Sequence, residues 1–349
     1  MIFASEFVIF LTVGVIFCYL LQKNRREQGF CYIITNIFYT FVEKNTSCRY
    51  NIPKGGEKMA RKIEYIIGDD YHGERVIRYL RGEAKLSAKL VRTLKNYHDG
   101  ITLNGEHIRT VDLLHKGDVL AVNIPHFDGN IEPVEMDIDI VYEDDDIVII
   151  NKNPFLAMHP THNHQGDTLA NALVHHLIQK GKPTVFRSVG RLDKGTSGLV
   201  VCALNSYSAD RISAFSEKEY LAVVNGKTES GTVDAPIIRP DPMKTIRAVG
   251  EGGVEAVTHF EKIKGNEKMT LVRVLPETGR THQIRVHMAH IGMPIVGDSL
   301  YGEDERGLGH QLLHRSKLAF CHPVTGELMT FTAPMPPDMQ SVADEIDNP

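Results

Sequence analysis

The chain has 349 residues, a formal net charge of −5, a hydrophobic fraction of 42% and a charged fraction of 24%. Those values exclude disordered and fibrous classes and leave room for two or three domains of ordinary size. The acidic balance argues against a protein that coats nucleic acid over its whole surface, so a phosphate-binding face has to be local.

Residues 7–21, FVIFLTVGVIFCYLL, are almost continuously apolar and are followed by KNRR, and Phe30 to Val42 is a shorter apolar run. A membrane helix needs about 20 apolar residues, so the first run is marginal and the second too short. A signal peptide carries its positive charge ahead of the apolar stretch, the reverse of the order here. Codons for KGGEK, Lys54 to Lys58, are compatible with a purine-rich bacterial ribosome-binding sequence directly before Met59. Met59 is therefore expected to be the native start, with residues 1–58 translated from upstream DNA; a weak membrane anchor is the alternative. Cys18, Cys31 and Cys48 fall in this segment, and Cys202 and Cys321 lack metal-ligand spacing, which fits a reducing cytoplasm.

Between Tyr71 and Lys95, Arg75, Arg78, Arg81, Lys85, Lys89, Arg92 and Lys95 recur at helical steps among Val76, Ile77, Leu80, Leu86, Leu90, Val91 and Leu94. The spacing predicts two amphipathic helices broken near Gly82, each with a basic face. A solvated charged face is the plainer reading, but the acidic neighbours that would neutralise it are few. Asn104-Gly105 then marks a turn between short strands. Two basic helices followed by strands around Asn-Gly resemble the small S-four-like RNA-binding domain, expected over 59–124. PHFDGNIEPVEM, 125–136, reads as a linker.

A larger region follows. VYEDDDIVIINK predicts a strand pair or one strand with an acidic turn, and TLANALVHHLIQKGK a helix with Leu169, Ala172, Leu173, His176 and Leu177 at core spacing. LVVCALN reads as a buried strand, SYSADRISAFSE as a helix, KEYLAVVNGK and MTLVRVLPETG as strands, and THQIRVHMAHIG as a helix ending at Gly292. The irregular alternation predicts an α+β fold, with a mixed sheet containing antiparallel pairs and not a doubly wound parallel sheet. The domain is expected over 137–340, with 341–349 as a tail.

In GRLDKGTSGLVV, Asp193 lies in a Gly-bounded loop before Thr196, Ser197 and Gly198, whose hydroxyl and N–H groups are placed to fix a carboxylate. An aspartate that only ties the loop by local hydrogen bonds has the same spacing. The stretch is one residue short of a G-x-S-x-G hydrolase elbow and is not a phosphate loop. The pairs His162/His164, His175/His176 and His287/His290 come without a matching cysteine or carboxylate cluster, so no metal is expected.

GRLDKGTSGLVVCALN, EKEYLAVVNGK and TGRTHQIRVHMAHIGMPIVGDSLYG, with NKNPFLAMHP and TLANALVHH, resemble in order the motifs of the RluA-type pseudouridine synthases over about 137–336. The family's usual histidine before the arginine is Gly190 here. The resemblance implies a cytoplasmic bacterial enzyme, without cofactor, that detaches a uracil from its ribose within RNA and reattaches it through carbon 5. It assigns catalysis to Asp193, to Tyr220 against the base, and to Arg285 beside the aspartate, where a guanidinium favours an ionised carboxylate. Arg191 would occupy the gap left by the flipped base. Thr196, Arg280, His282 and Gln283 are implied substrate contacts, and the seven basic helix residues would hold RNA phosphates. Ribosomal RNA is the expected partner with transfer RNA as the alternative, and the enzyme is expected to act as a monomer away from membranes. A non-catalytic RNA-binding assembly factor is the competing class; it would not need Asp193, Tyr220 and Arg285 together.

Overall fold

The computed structural model describes Cys48–Arg49 and residues 61–347, apart from 126–128, 162–163, 183 and 214–215. The expectations for residues 1–58 lie outside the described residues, save that Cys48–Arg49 pairs antiparallel with Glu64 and Tyr65. The chain forms two units, one containing Lys62–Tyr79 and Tyr97–Asn123, the other Leu80–Asn96 and the chain from Ile124.

In the first unit a sheet runs in the order Cys48–Arg49, Arg61–Ile66, Val119–Ile124, Ile101–Leu103, Glu106–His107. The expected Asn-Gly turn joins the last two of these in sequence, with Asn104 and Gly105 at φ 55° and 90°. Positive φ at both positions matches the right-handed twist of the paired strands. Ile63, Val76, Tyr79, Leu114, Leu120 and Val122 are buried. The two basic helices form as Val76–Gly82, which begins in the first unit, and Ala88–Leu94, which belongs to the second and is capped by the Ser87 hydroxyl, which accepts from the Leu90 N–H at 3.1 Å. All seven basic residues are exposed. Arg78 nevertheless pairs with Glu74, and Arg81 donates to the Leu86 carbonyl.

The second unit is built on a sheet of β1 (Asp139–Glu143), β2 (Ile147–Lys152), β3 (Ser188–Val189), β4 (Ser197–Ala203), β5 (Ser216–Asn225), β6 (Gly231–Asp234), β7 (Val257–Gly265), β8 (Met269–Pro276), β9 (Leu313–Cys321) and β10 (Leu328–Thr332). The order is β6-β7-β8-β5-β9-β4-β2-β1, with β10 on β9 and β3 on β4. The described ladders are antiparallel except β4 with β9, which run parallel through Ser197 opposite His314 and Gly198 opposite Arg315. The sheet is thus mixed and largely antiparallel, and the fold is α+β. Helices α1 (Leu169–Gln179), α2 (Ser206–Ser213), α3 (Gln283–His290) and α4 (Pro337–Asp344) flank it.

Every residue of β4 is buried, as its unbroken apolar run predicts for a strand covered on both faces. Helix α1 starts with a Thr168/Asn171 capping box and buries Leu169, Ala172, Leu173 and Leu177. His176, expected on that core face, is half-buried instead and meets Glu143 at 2.8 Å, because its ring nitrogen needs a polar partner. The linker segment is partly tied down: the Asn171 amide donates to the Glu132 carbonyl at 2.7 Å and Val134 N–H donates to the Asn171 carbonyl at 3.2 Å.

Residues 341–349, expected as a tail, are corrected by α4, which runs through Asp344 and buries Met339, Val342 and Ala343. With Ile346 they join a core cluster that includes Val223 and Leu271. The apolar spacing Met339, Val342, Ala343, Ile346 is that of a helix face, and burying it removes the cost of leaving it in water.

Candidate active site

Asp193 sits in the turn between β3 and β4. The adjoining Leu192 is 5% exposed and belongs to the core cluster that also holds Tyr220 on β5, Val274 on β8 and Ile284 on α3. The three motif-bearing segments, far apart in sequence, thus contribute to one core cluster. The turn is pinned further by the Thr196 N–H donating to the Asp193 carbonyl at 3.1 Å and the Gly195 N–H donating to the Pro154 carbonyl at 3.0 Å. A Cβ on Gly195 would lie 2.3 Å from the Gln311 side chain, which would have to move off Thr196, and the φ of 86° itself disfavours a larger residue there.

The hydroxyls do not hold the carboxylate as expected. Thr196 is buried and accepts from the Gln311 amide at 2.8 Å, while the Ser197 hydroxyl meets His314 Nδ1 at 2.9 Å. The first anchors the loop to the segment leading into β9 and the second to β9 itself, and both leave the carboxylate to other partners. Gly190 has φ 69°, a conformation unfavourable for the histidine usual at that position.

Arg285 supplies the main partner from α3. Its Nε and Nη2 donate to the two oxygens of Asp298 at 2.7 and 2.8 Å, a two-pronged grip, and Nη1 donates to Asp193 Oδ2 at 3.3 Å. The side chain of Asp298 is 0% exposed and that of Asp193 18% exposed. Burial alone would lower the arginine's pKa, but the bonds and charge of Asp298, with those of Asp193, outweigh it and raise it. The guanidinium is therefore a fixed cation aimed at a carboxylate that still reaches solvent. Asp298 lies within TGRTHQIRVHMAHIGMPIVGDSLYG, yet no local pattern in that stretch singles it out.

His282 occupies the N-cap position of α3 in the left-handed region, at φ 58°. Its Nε2 is 3.9 Å from Asp193 Oδ2 and its Nδ1 is 2.8 Å from the Tyr301 hydroxyl. Burial lowers the His282 pKa; Asp193 pulls it up and Arg285 pushes it down. The Tyr301 ring lies 5.1 Å from the Arg285 guanidinium carbon, so Asp193 faces one packed group of Arg285, Asp298, His282 and Tyr301.

Tyr220 is 7% exposed, and its hydroxyl accepts from Arg315 Nε at 2.9 Å and Nη2 at 2.6 Å. Lys152, 1% exposed at the end of β2, donates to the carbonyls of Asn153 and Leu156 at 2.8 and 2.9 Å. Burial pulls its pKa down to about 7, against an upward pull from the Asp193 charge. Neither Arg315 nor Lys152 was singled out from the sequence. A lone cation in an apolar strand gives no signal beyond its cost of burial.

The remaining expected contacts divide in two. Arg191 and Arg280 are exposed; Arg191 Nη2 lies 3.4 Å from the Thr281 hydroxyl and Arg280 Nε donates to the Glu255 carbonyl at 3.0 Å. Gln283 is 4% exposed and its amide is spent inside the protein, donating to the Val257 carbonyl and Thr258 hydroxyl and accepting from Thr278 and the Arg280 N–H. It fixes α3 against β7. His287 is likewise buried between the Thr258 hydroxyl and the Ala235 carbonyl, and His290 is exposed. Among the described residues, Asp144, Asp146 and His322 form the one group with metal-ligand spacing. Their atoms are already bonded to each other, to Tyr142, to Asn205 and to Ser208.

A family model described as RNA pseudouridylate synthase matches residues 146–290, the stretch that carries Asp193, Tyr220 and Arg285. The chain is 38% identical over 272 residues to the uncharacterized RNA pseudouridine synthase YjbO of Bacillus subtilis, covering 75% of this chain and 95% of that protein. It is 35% identical to the ribosomal large subunit pseudouridine synthase D of Haemophilus influenzae, covering 83% and 92% of the two chains. The solved structure of human RNA pseudouridylate synthase domain containing 1 matches with a TM-score of 0.48 and 24% identity, covering 63% of this chain and 97% of that one. With its motifs gathered around one carboxylate and relatives aligned over most of its length, the chain belongs to the RluA-type RNA pseudouridine synthases, isomerases that convert uridine in RNA to pseudouridine.

Proposed function

We propose that this enzyme modifies large-subunit ribosomal RNA in the bacterial cytoplasm, with Asp193 as the catalytic carboxylate and without a metal or organic cofactor. The observation that carries the reading is the carboxylate itself. Asp193 is part-exposed and loosely bonded, 3.3 Å from a guanidinium that Asp298 already holds in place. Such an anion is free to attack or to stabilise charge while the bond between ribose and base is broken. Tyr220 lies against the target base and takes part in proton transfer at carbon 5, and Arg191, exposed beside Asp193, fills the gap left by the flipped nucleotide. The choice of ribosomal RNA is supported by the 35% identity to a ribosomal large subunit synthase. Thr196 and Gln283 act through the protein framework, leaving His282 and Arg280 as the further substrate contacts of the motif.

An S-four-like N-terminal domain over 59–124 would supply phosphate affinity through Arg75, Arg78, Arg81, Lys85, Lys89, Arg92 and Lys95, all exposed. Neutralising Arg75, Arg78 and Lys89 together is expected to weaken RNA binding and to lower the salt slope by about 1 for each phosphate no longer neutralised. An unchanged slope removes this role. The decisive test of the function is to map pseudouridines in total RNA from cells with and without the gene. Loss of one or more sites in large-subunit ribosomal RNA is expected; loss confined to transfer RNA would redirect the substrate, and no loss would sink the proposal.

A further inference from the structure

Arg315 is 2% exposed on β9, yet no carboxylate among the described residues pairs with it. Its Nη1 donates to the Leu199 carbonyl at 3.0 Å, and its Nε and Nη2 converge on the Tyr220 hydroxyl at 2.9 and 2.6 Å. Burying a guanidinium against neutral groups alone is costly, and an apolar side chain of similar volume would stabilise the sheet at least as well. Of its partners, only the phenol oxygen can carry negative charge.

The fold is also arranged to bring this arginine there. Gly198 lies opposite Arg315 in the parallel pairing of β4 with β9, and a Cβ on Gly198 would come within 2.4 Å of the Arg315 carbonyl oxygen. A bare glycine, at φ 105°, lets the two backbones close up directly after the Asp193 turn. The positive field extends along β5 to Lys218, two residues before Tyr220, whose pKa is lowered by burial and by Arg315.

We infer that Arg315 is a positioning residue for the isomerisation, holding the Tyr220 oxygen in place and offsetting negative charge on it during proton transfer at carbon 5. This rests on the role proposed for Tyr220 above. In that step the phenol has first released its own proton to solvent. After the new bond from carbon 5 to the ribose has formed, the bond from carbon 5 to hydrogen breaks. Its electron pair stays in the ring to restore the double bond between carbons 5 and 6. The proton passes to the Tyr220 oxygen, and Arg315 carries the countercharge throughout.

The test follows release of tritium from carbon 5 of uridine in labelled total RNA from cells lacking the gene, using the full chain. Arg315→Met is expected to lower kcat by about 30-fold or more, the worth of a hydrogen bond to a charged group, with KM little changed. Arg315→Lys, which keeps the cation, should recover most of that loss, whereas Arg315→Gln, which keeps only a donor, should not. Full activity in a folded Arg315→Met, or equal losses in the Lys and Gln variants, overturns the inference. If the methionine variant does not fold, the comparison of Lys with Gln decides, and failure of both to fold assigns Arg315 to the framework and overturns it too. Tyr220→Phe separates the two readings. If it is inactive while Arg315→Met is normal, only the inference about Arg315 fails; if it is fully active, the role of Tyr220 itself falls.

Discussion

Two aspartates in the same unit, Asp144 and Asp193, sit in turns of the one sheet beside a histidine and a tyrosine, and their bonding is opposite. Asp144 accepts from the Asp146 and Ile147 N–H groups at 2.7 and 2.8 Å through one oxygen, and from Tyr142 and His322 at 2.9 and 3.0 Å through the other. Asp193 has one bond at 3.3 Å and a histidine nitrogen at 3.9 Å. Burial alone would push the Asp144 pKa up, but the His322 bond, the two N–H groups and Tyr142 hold it at about 2. A carboxylate whose lone pairs are all used is a structural brace. One left underbonded beside a fixed cation keeps free energy available for the transition state, since only interactions that strengthen there accelerate a reaction.

The contrast between the two carboxylates can be broken in several ways. The largest expected effect is that of Asp193→Asn, which should lose at least about 1,000-fold in kcat while unfolding at the same denaturant concentration as the native protein. A large fall in stability would mean that Asp193 braces its loop as Asp144 does. Next is Asp298→Asn, which leaves Arg285 buried with its anionic grip removed. It should cost about 3 kcal/mol of stability, and kcat should fall roughly 10-fold or more as the guanidinium loses its aim. Unchanged stability and activity would show that Asp193 alone suffices to hold Arg285.

Asp144→Asn should spare kcat and reduce stability by about 1–2 kcal/mol near neutrality, allowing for solvent screening of a partly exposed group. The sign with pH follows from the lowered pKa. The native carboxylate's contribution is complete above its ordinary pKa, about 4, and is lost as the pH falls toward 2. Chemical denaturation at neutral and acid pH should therefore show the gap between variant and native closing in acid. A gap that stays constant would mean the bonds to Asp144 do not depend on its charge.

Much of this molecule was legible in its residues. The buried run of β4, most of the core face of α1, the Asn-Gly turn and the basic helices all follow from local periodicity and turn chemistry, which act over a few residues and leave a direct imprint on sequence. The motifs likewise named Asp193, Tyr220 and Arg285. The pairing of β4 with β9, the grip of Asp298 on Arg285 and the contact of Arg315 with Tyr220 join residues 117, 13 and 95 positions apart. No local pattern records them.

By itself the sequence determined the α+β class and most of the helices and strands, because short-range sterics and apolar patterning suffice for these, and its motifs, by resemblance, pointed to the residues proposed to carry the chemistry. Only the tertiary structure decided which oxygens of Asp193 remain available, that Thr196 and Gln283 are spent on the framework, and that Val342, Ala343 and Ile346 belong to the core. Whether a polar group is free or satisfied depends on which distant segment burial brings against it, and that is fixed when the sheet closes around its core.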